Sequence, residues 1–142
     1  MSDSKMHFHV VTRRVEEHGS VSRCKEAEIT LDTDLAGNAR AFNPAELLLA
    51  ALSACIIKGI ERIAPMINFS LRGVEVRVDA VRQDIPPKLE RISYEIIVDS
   101  DKPDRRLELL HENIQKYGTV FNTVAPGTEL CGTLWRKSRS AH

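Results

Sequence analysis

The feature that most limits how this chain can fold is a nearly unbroken apolar run with a marked start. The run is Leu47-Leu48-Leu49-Ala50-Ala51-Leu52-Ser53-Ala54-Cys55-Ile56-Ile57, and Asn43-Pro44-Ala45-Glu46 stands directly ahead of it. Asparagine at the cap accepts a free backbone N–H, and proline suits the first helical position, where no N–H is needed. Glutamate three residues after the cap bonds back to the cap's own N–H. These signals predict a helix from Pro44 to about Ala64, stopped by Pro65. Its early turns are apolar all round, which predicts burial on most sides, and Lys58, Glu61 and Arg62 make the later turns amphipathic.

Strand signals flank this helix. His7 to Val15 and Val21 to Leu31 read as two strands around a turn at Glu16-Glu17-His18-Gly19-Ser20. His7 and His9 then share one strand face. Ala27, Ile29 and Leu31 alternate with Glu28 and Thr30, the period of a half-buried strand. A polar loop from Asp32 to Phe42 follows, with Asp32 and Asp34 as turn-forming groups. Beyond the helix, Val74, Val76, Val78 and Ala80 alternate with charged residues, and Ile92, Tyr94 and Ile96 alternate likewise. Ile85-Pro86-Pro87 between them is too stiff for a helix or a central strand. A second helix begins at Asp101-Lys102-Pro103-Asp104, puts Leu107, Leu110 and Ile114 on one face, and ends near Tyr117-Gly118, where glycine suits a C-cap. A last strand covers Thr128 to Arg136, and Phe121 and Trp135 read as packing residues. The expected fold class is α+β in the order ββ-α-ββ-α-β, a single domain over residues 1–142 with disordered ends at about 1–5 and 137–142.

Composition narrows the function classes. Lysine plus arginine equals aspartate plus glutamate at 20 each, so there is no basic excess to hold nucleic acid or a membrane surface. No apolar stretch is long enough to span a bilayer, and Met1-Ser2-Asp3-Ser4-Lys5 lacks the apolar core of a secretory signal, so a cytoplasmic location is expected. Cys24, Cys55 and Cys131 are odd in number and far apart, which does not suit a disulfide framework. They and the histidines show no metal-ligand spacing, so no metal is expected. A helix apolar on every side needs more cover than one small sheet provides. A second copy of the chain is the simplest cover, and a homodimer with an extensive apolar interface is expected.

The segment from Asn43 to Cys55 resembles the central-helix motif of the OsmC/Ohr family, named for osmotic induction and organic hydroperoxide resistance. Pro87-Lys88-Leu89-Glu90-Arg91-Ile92 before a strand and Lys116-Tyr117-Gly118-Thr119-Val120 after the second helix agree with it, over about Glu28 to Leu134. The resemblance implies an intertwined homodimer, a long buried central helix against antiparallel sheet, and two sites at the subunit interface. It implies no metal or organic cofactor. It also implies a role in oxidative stress, in which the helix cysteine attacks a small apolar hydroperoxide as thiolate and becomes a sulfenic acid. In the family a second cysteine, in a Lys-Tyr-Cys-Pro-Val-like motif, closes a disulfide that a dithiol reductant reopens. An arginine and a glutamate keep the first cysteine ionised.

Cys55 matches the first cysteine, but Gly118 and Thr119 stand where the second cysteine and its proline would be. An oxidised Cys55 then needs an external thiol reductant, or Cys24 or Cys131 as a replacement partner. The peroxidase glutamate falls at Ala45. Glu46 comes one residue later, an offset that other OsmC-like branches share, and it also fits the capping box. Arg13, Arg14, Arg23 and Arg40 lie in suitable regions for the arginine, with no strong choice among them.

A free cysteine is only a few per cent ionised at neutral pH, so peroxide chemistry needs nearby positive charge. Lys58 and Arg62 lie three and seven residues beyond Cys55, on its helix face, and either turns inward to the sulfur or outward to solvent. Two functions follow. One is peroxide reduction by Cys55 in a one-cysteine cycle. The other is a non-catalytic homodimer that binds a small apolar ligand in its interface cleft.

Overall fold

A computed structural model of the chain describes residues 5–137. The predicted disordered ends fall almost wholly outside the described residues. The architecture is α+β, and its contacts divide it into two compact units, one ending at Leu48 and one beginning at Leu49.

The first unit carries a three-stranded antiparallel sheet, β1 (Val11–Glu16), β2 (Gly19–Cys24) and β3 (Ala27–Leu31). Two expectations change here. The first strand begins at Val11, so His7 and His9 precede it and share no strand face. The segment read as one strand from Val21 to Leu31 is two, because Lys25 adopts a left-handed φ of 56° and folds Cys24 back onto Ala27. No glycine or proline marks that turn. The alternation in β3 does not bury it either, since Ile29 is 46% exposed.

The loop from Asp32 to Phe42 is held by its own acids. Asp32 is buried and accepts the backbone N–H of Asp34 and of Asn38, both at 3.0 Å. His18 lies 2.6 Å from Asp34 through Nδ1 and Oδ2. The loop leads into α1 (Pro44–Ile63), which starts with the expected reciprocal cap: Glu46 N–H donates to Asn43 Oδ1 at 2.8 Å, and Asn43 N–H to Glu46 Oε1 at 3.0 Å.

Over its length, α1 buries a single stripe: Leu52, Ile56, Gly59, Ile60 and Ile63. Burial on most sides, as its composition suggested, is not reached within one chain; Leu48 and Ile57 are 40% and 37% exposed. A 3₁₀ turn at Ala64–Ile67 follows, with Pro65 in its first turn.

The second unit adds a sheet in the order β4 (Gly73–Asp84), β5 (Pro87–Asp99) and β6 (Glu129–Arg136). β4 and β5 form an antiparallel hairpin around Ile85-Pro86, and Pro87 opens β5 beyond the stretch that β6 pairs. β6 runs parallel to β5 after a crossover through α2 (Asp104–Tyr117) and α3 (Thr119–Val124). The period-2 pattern holds: Ile92, Tyr94, Ile96 and Val98 are buried on one face of β5, where they meet Leu52, Ile56 and Ile60 of α1 and Leu107, Leu110 and Ile114 of α2 in one core. Each such aliphatic side chain contributes about 1.5–3 kcal/mol when removed from water. Phe121 joins this core, whereas Trp135 is 41% exposed on the other face of the sheet and donates to Glu95 at 3.0 Å. The short helix α3 had no sequence signal, because Gly118 read as a stop.

Candidate functional site

Cys55 is half-buried on α1, between the buried stripe and the exposed alanines Ala51 and Ala54. Its sulfur faces the corner between α2 and α3. Gly118 is that corner: it caps α2 through its N–H to the Ile114 carbonyl at 3.3 Å, and its own carbonyl accepts the Asn122 N–H at 2.9 Å. Glycine was expected there as a C-cap, a position that commonly takes a left-handed conformation. The backbone instead is extended, with φ −75° and ψ 124°, a conformation open to any residue. The position is nonetheless tight. A β-carbon at Gly118 would lie 3.2 Å from Cys55 Sγ, 3.1 Å from Phe121 Cβ and 3.3 Å from the Ile114 carbonyl oxygen. The two residues singled out in separate helical segments are therefore neighbours, and the sulfur occupies the flank that a side chain at 118 would take.

The other candidates are placed as follows. Lys58 is exposed one turn beyond Cys55, and Arg62 is exposed and lies along its own helix, 3.9 Å from where a β-carbon on Gly59 would sit. Among the described residues neither forms an ion pair. On the first unit, Arg40 and Glu46 line one shallow cavity of about 360 Å3 with Ala39, Ala41 and Phe42. Glu46 spends a carboxylate oxygen on the helix cap there, as its position in the capping box suggested.

Cys131 does not replace the second cysteine within the chain. It is exposed on the face of β6 that carries Trp135, 3.7 Å from Ser93 Oγ, while Cys55 lies on the core side with Phe121 and Gly118. Cys24 sits on β2 opposite Ala27. No three or more metal-ligating side chains gather among the described residues. No helix among them is long and apolar enough to cross a membrane.

The sequence model of the family described as OsmC-like protein matches residues 37–130, which contain Cys55 and Gly118. The chain belongs to the OsmC-like family. No curated protein matches it. Solved structures share the OsmC-like fold at low identity. An OsmC-like protein from Mycoplasma pneumoniae is 18% identical, with a TM-score of 0.86 over 96% of this chain and 100% of that one. An organic hydroperoxide resistance protein OsmC from Legionella pneumophila is 16% identical, with a TM-score of 0.69 over 92% and 98%. The organic hydroperoxide resistance protein OhrB of Bacillus subtilis is 15% identical, with a TM-score of 0.66 over 92% and 98%. At these identities the likeness is one of fold.

A cluster beside this corner had escaped the sequence reading. Tyr94, buried on β5, places its hydroxyl 2.7 Å from His111 Nε2 and 3.2 Å from Gln115 Nε2, both on α2. Burial pushes the Tyr94 hydroxyl up and the His111 imidazole down from their ordinary values, with Glu112 pulling His111 partly back. Two signals were available: a tyrosine at an inward position of an alternating strand needs a polar partner, and His111 and Gln115 lie four apart on one helix face.

Proposed function

We propose that this OsmC-like protein reduces small apolar organic hydroperoxides through Cys55 in a one-cysteine cycle, working as a homodimer with an external thiol as reductant. The Cys55 thiolate attacks the distal peroxide oxygen; the O–O bond breaks, the alkoxide leaves and takes a proton, and the sulfur becomes a sulfenic acid. A thiol from solution then attacks that sulfur, releases water and leaves a mixed disulfide. A second thiol attacks the mixed disulfide, frees Cys55 and departs as the oxidised disulfide.

The observation that carries this reading is the approach of Cys55 Sγ to the β-position of Gly118 at 3.2 Å. A cysteine at 118 would serve as an internal partner; with glycine there is no thiol at that position and the second thiol must come from outside. The names of the Legionella and Bacillus relatives support the substrate class. Lys58 belongs to the proposal as a candidate group for holding the thiolate by its helix spacing, while Arg40 and Glu46 share a cavity of their own on the first unit.

The test is consumption of cumene hydroperoxide by the wild type and Cys55→Ser, with a monothiol and with a dithiol reductant. Turnover by the wild type alone, sustained by the monothiol, supports the reading. Equal and negligible rates sink it and favour the second function. There the interface cleft of the homodimer would take a small apolar ligand, and binding would survive Cys55→Ser.

A further inference from the structure

Tyr94 joins four elements at once. It stands on β5 and its ring lies flat on Gly132 of β6, where any β-carbon would overlap three ring atoms. The ring meets Phe121 of α3 edge-on, with centroids 5.9 Å apart, and His111 of α2 edge-on at 5.6 Å. Phe121 in turn reaches the corner at Gly118, and Gly118 reaches the Cys55 sulfur. One layer of side chains therefore separates the tyrosine from the candidate thiol's flank.

The hydroxyl's bonds are best satisfied in one protonation state. A side-chain amide nitrogen only donates, so Gln115 Nε2–H points at the Tyr94 oxygen. With the tyrosine's own proton on the other bond, His111 Nε2 accepts it and the imidazole is neutral with its hydrogen on Nδ1, the tautomer in which every polar hydrogen here has a partner. A proton on Nε2 would turn this acceptor into a second donor and leave a buried hydroxyl hydrogen without a partner.

We propose that Tyr94, His111 and Gln115 are positioning residues that hold the Gly118 corner against the Cys55 sulfur, and that they hold it only while His111 is neutral. The groups that face His111 are Tyr94 from β5 and, on α2 itself, Gln115 and Glu112. β6 turns Leu130, Gly132 and Leu134 to the core and α3 turns Phe121, none of which titrates; Cys131 acts only on Tyr94, from across the sheet. Burial outweighs the Glu112 charge, so the loosening falls on the acid side of the ordinary histidine range, below about pH 6.5. Acidification then frees α2 and opens the corner beside the thiol.

The proposal bears on the same thiol as the peroxidase reading, and its test needs no turnover. In the wild type, the Gly118 amide resonance is followed by NMR through pH 5 to 8 beside the His111 ring. Hydrogen exchange of residues 114–122, corrected for intrinsic rate, is compared in wild type, His111→Gln and Tyr94→Phe. The Gly118 amide is expected to titrate with the midpoint of His111, and exchange to rise threefold or more on acidification. In His111→Gln, where the new amide oxygen takes the tyrosine proton and nothing titrates, protection should stay at the neutral wild-type level across the range. In Tyr94→Phe it should stay at the acid level. A Gly118 amide indifferent to His111, or wild-type and His111→Gln profiles that superimpose, would overturn the proposal. The NMR measurement on the wild type decides the matter even if a variant does not fold.

Discussion

At residue 118 a hydrogen stands where most residues would put carbon, and that choice separates two kinds of thiol chemistry. With a β-carbon 3.2 Å from Cys55 Sγ, the sulfur of a Gly118→Cys variant comes within bonding reach of Cys55, given an S–S bond of about 2.0 Å and β-carbons roughly 3.5–4.5 Å apart. We expect Gly118→Cys to close a disulfide between Cys55 and the introduced thiol on mild oxidation, read by mass spectrometry after tryptic digestion without reduction, and to shift reductant preference from monothiol to dithiol. A variant that keeps two free thiols under oxidant would show that the corner does not approach the sulfur as drawn. Gly118→Ala makes the complementary statement. Its methyl meets a backbone oxygen at 3.3 Å and Phe121 Cβ at 3.1 Å, so crowding should cost about 1–3 kcal/mol in denaturant unfolding with no new bond formed. The importance of 118 was legible in the sequence, because the surrounding Lys116 to Val120 motif exposed the missing cysteine. Its physical reason was not: a left-handed cap and a crowded sulfur both ask for glycine, and only the backbone angle separates them.

At the scale of elements, what repeats locally could be read and what depends on contact could not. The capping box, the inward alternation of β5 and the Leu107, Leu110 and Ile114 face of α2 all follow from short spacings and stand in the structure as expected. β3 was merged with β2 because Lys25 takes a left-handed turn without the usual glycine, and α3 was hidden behind Gly118. The start of α1 admits a direct measurement. Asn43→Ala removes the oxygen that accepts the Glu46 N–H and should destabilise the protein by about 0.5–2 kcal/mol in denaturant unfolding. An unchanged midpoint would mean that the cap bond adds nothing in this helix.

The loop ahead of that helix carries a pH signature. The Asp34 carboxylate raises the His18 pKa above its ordinary 6.5, and His18 lowers the Asp34 pKa below 3.8, through their hydrogen bond first in each case. The raised histidine contributes stability in full below 6.5 and loses it as pH rises through its folded value. The depressed aspartate contributes above 3.8 and loses it as pH falls through its own. The difference in melting temperature between wild type and His18→Gln should therefore peak near pH 5 and fade on both sides. His18 is 61% exposed, so solvent and salt keep the peak small. Equal differences at pH 5 and pH 9 would remove the pair from any account of this loop.

For the whole molecule, the exposed apolar surface calls for a cover. The first unit leaves Phe8, Val10, Val15 and Ile29 at 78%, 58%, 64% and 46% exposure, and α1 leaves Ile57 at 37% in the midst of exposed alanines. Apolar surface on this scale marks an interaction face, and a chain with equal numbers of acidic and basic residues presents no field that repels its own copy. We expect a homodimer in which the outward side of α1 is part of the seam, so that the helix reaches on assembly the burial its composition called for. Ile57→Glu places a charge on that side while leaving the buried stripe of Leu52, Ile56 and Ile60 intact. Its dissociation constant in sedimentation equilibrium should rise roughly tenfold or more, a loss of about 1.4 kcal/mol or more, with the far-ultraviolet circular dichroism of each chain unchanged. A wild type that sediments as a monomer at micromolar concentration would remove the second subunit from the site and leave Cys55 to be explained by its own chain alone.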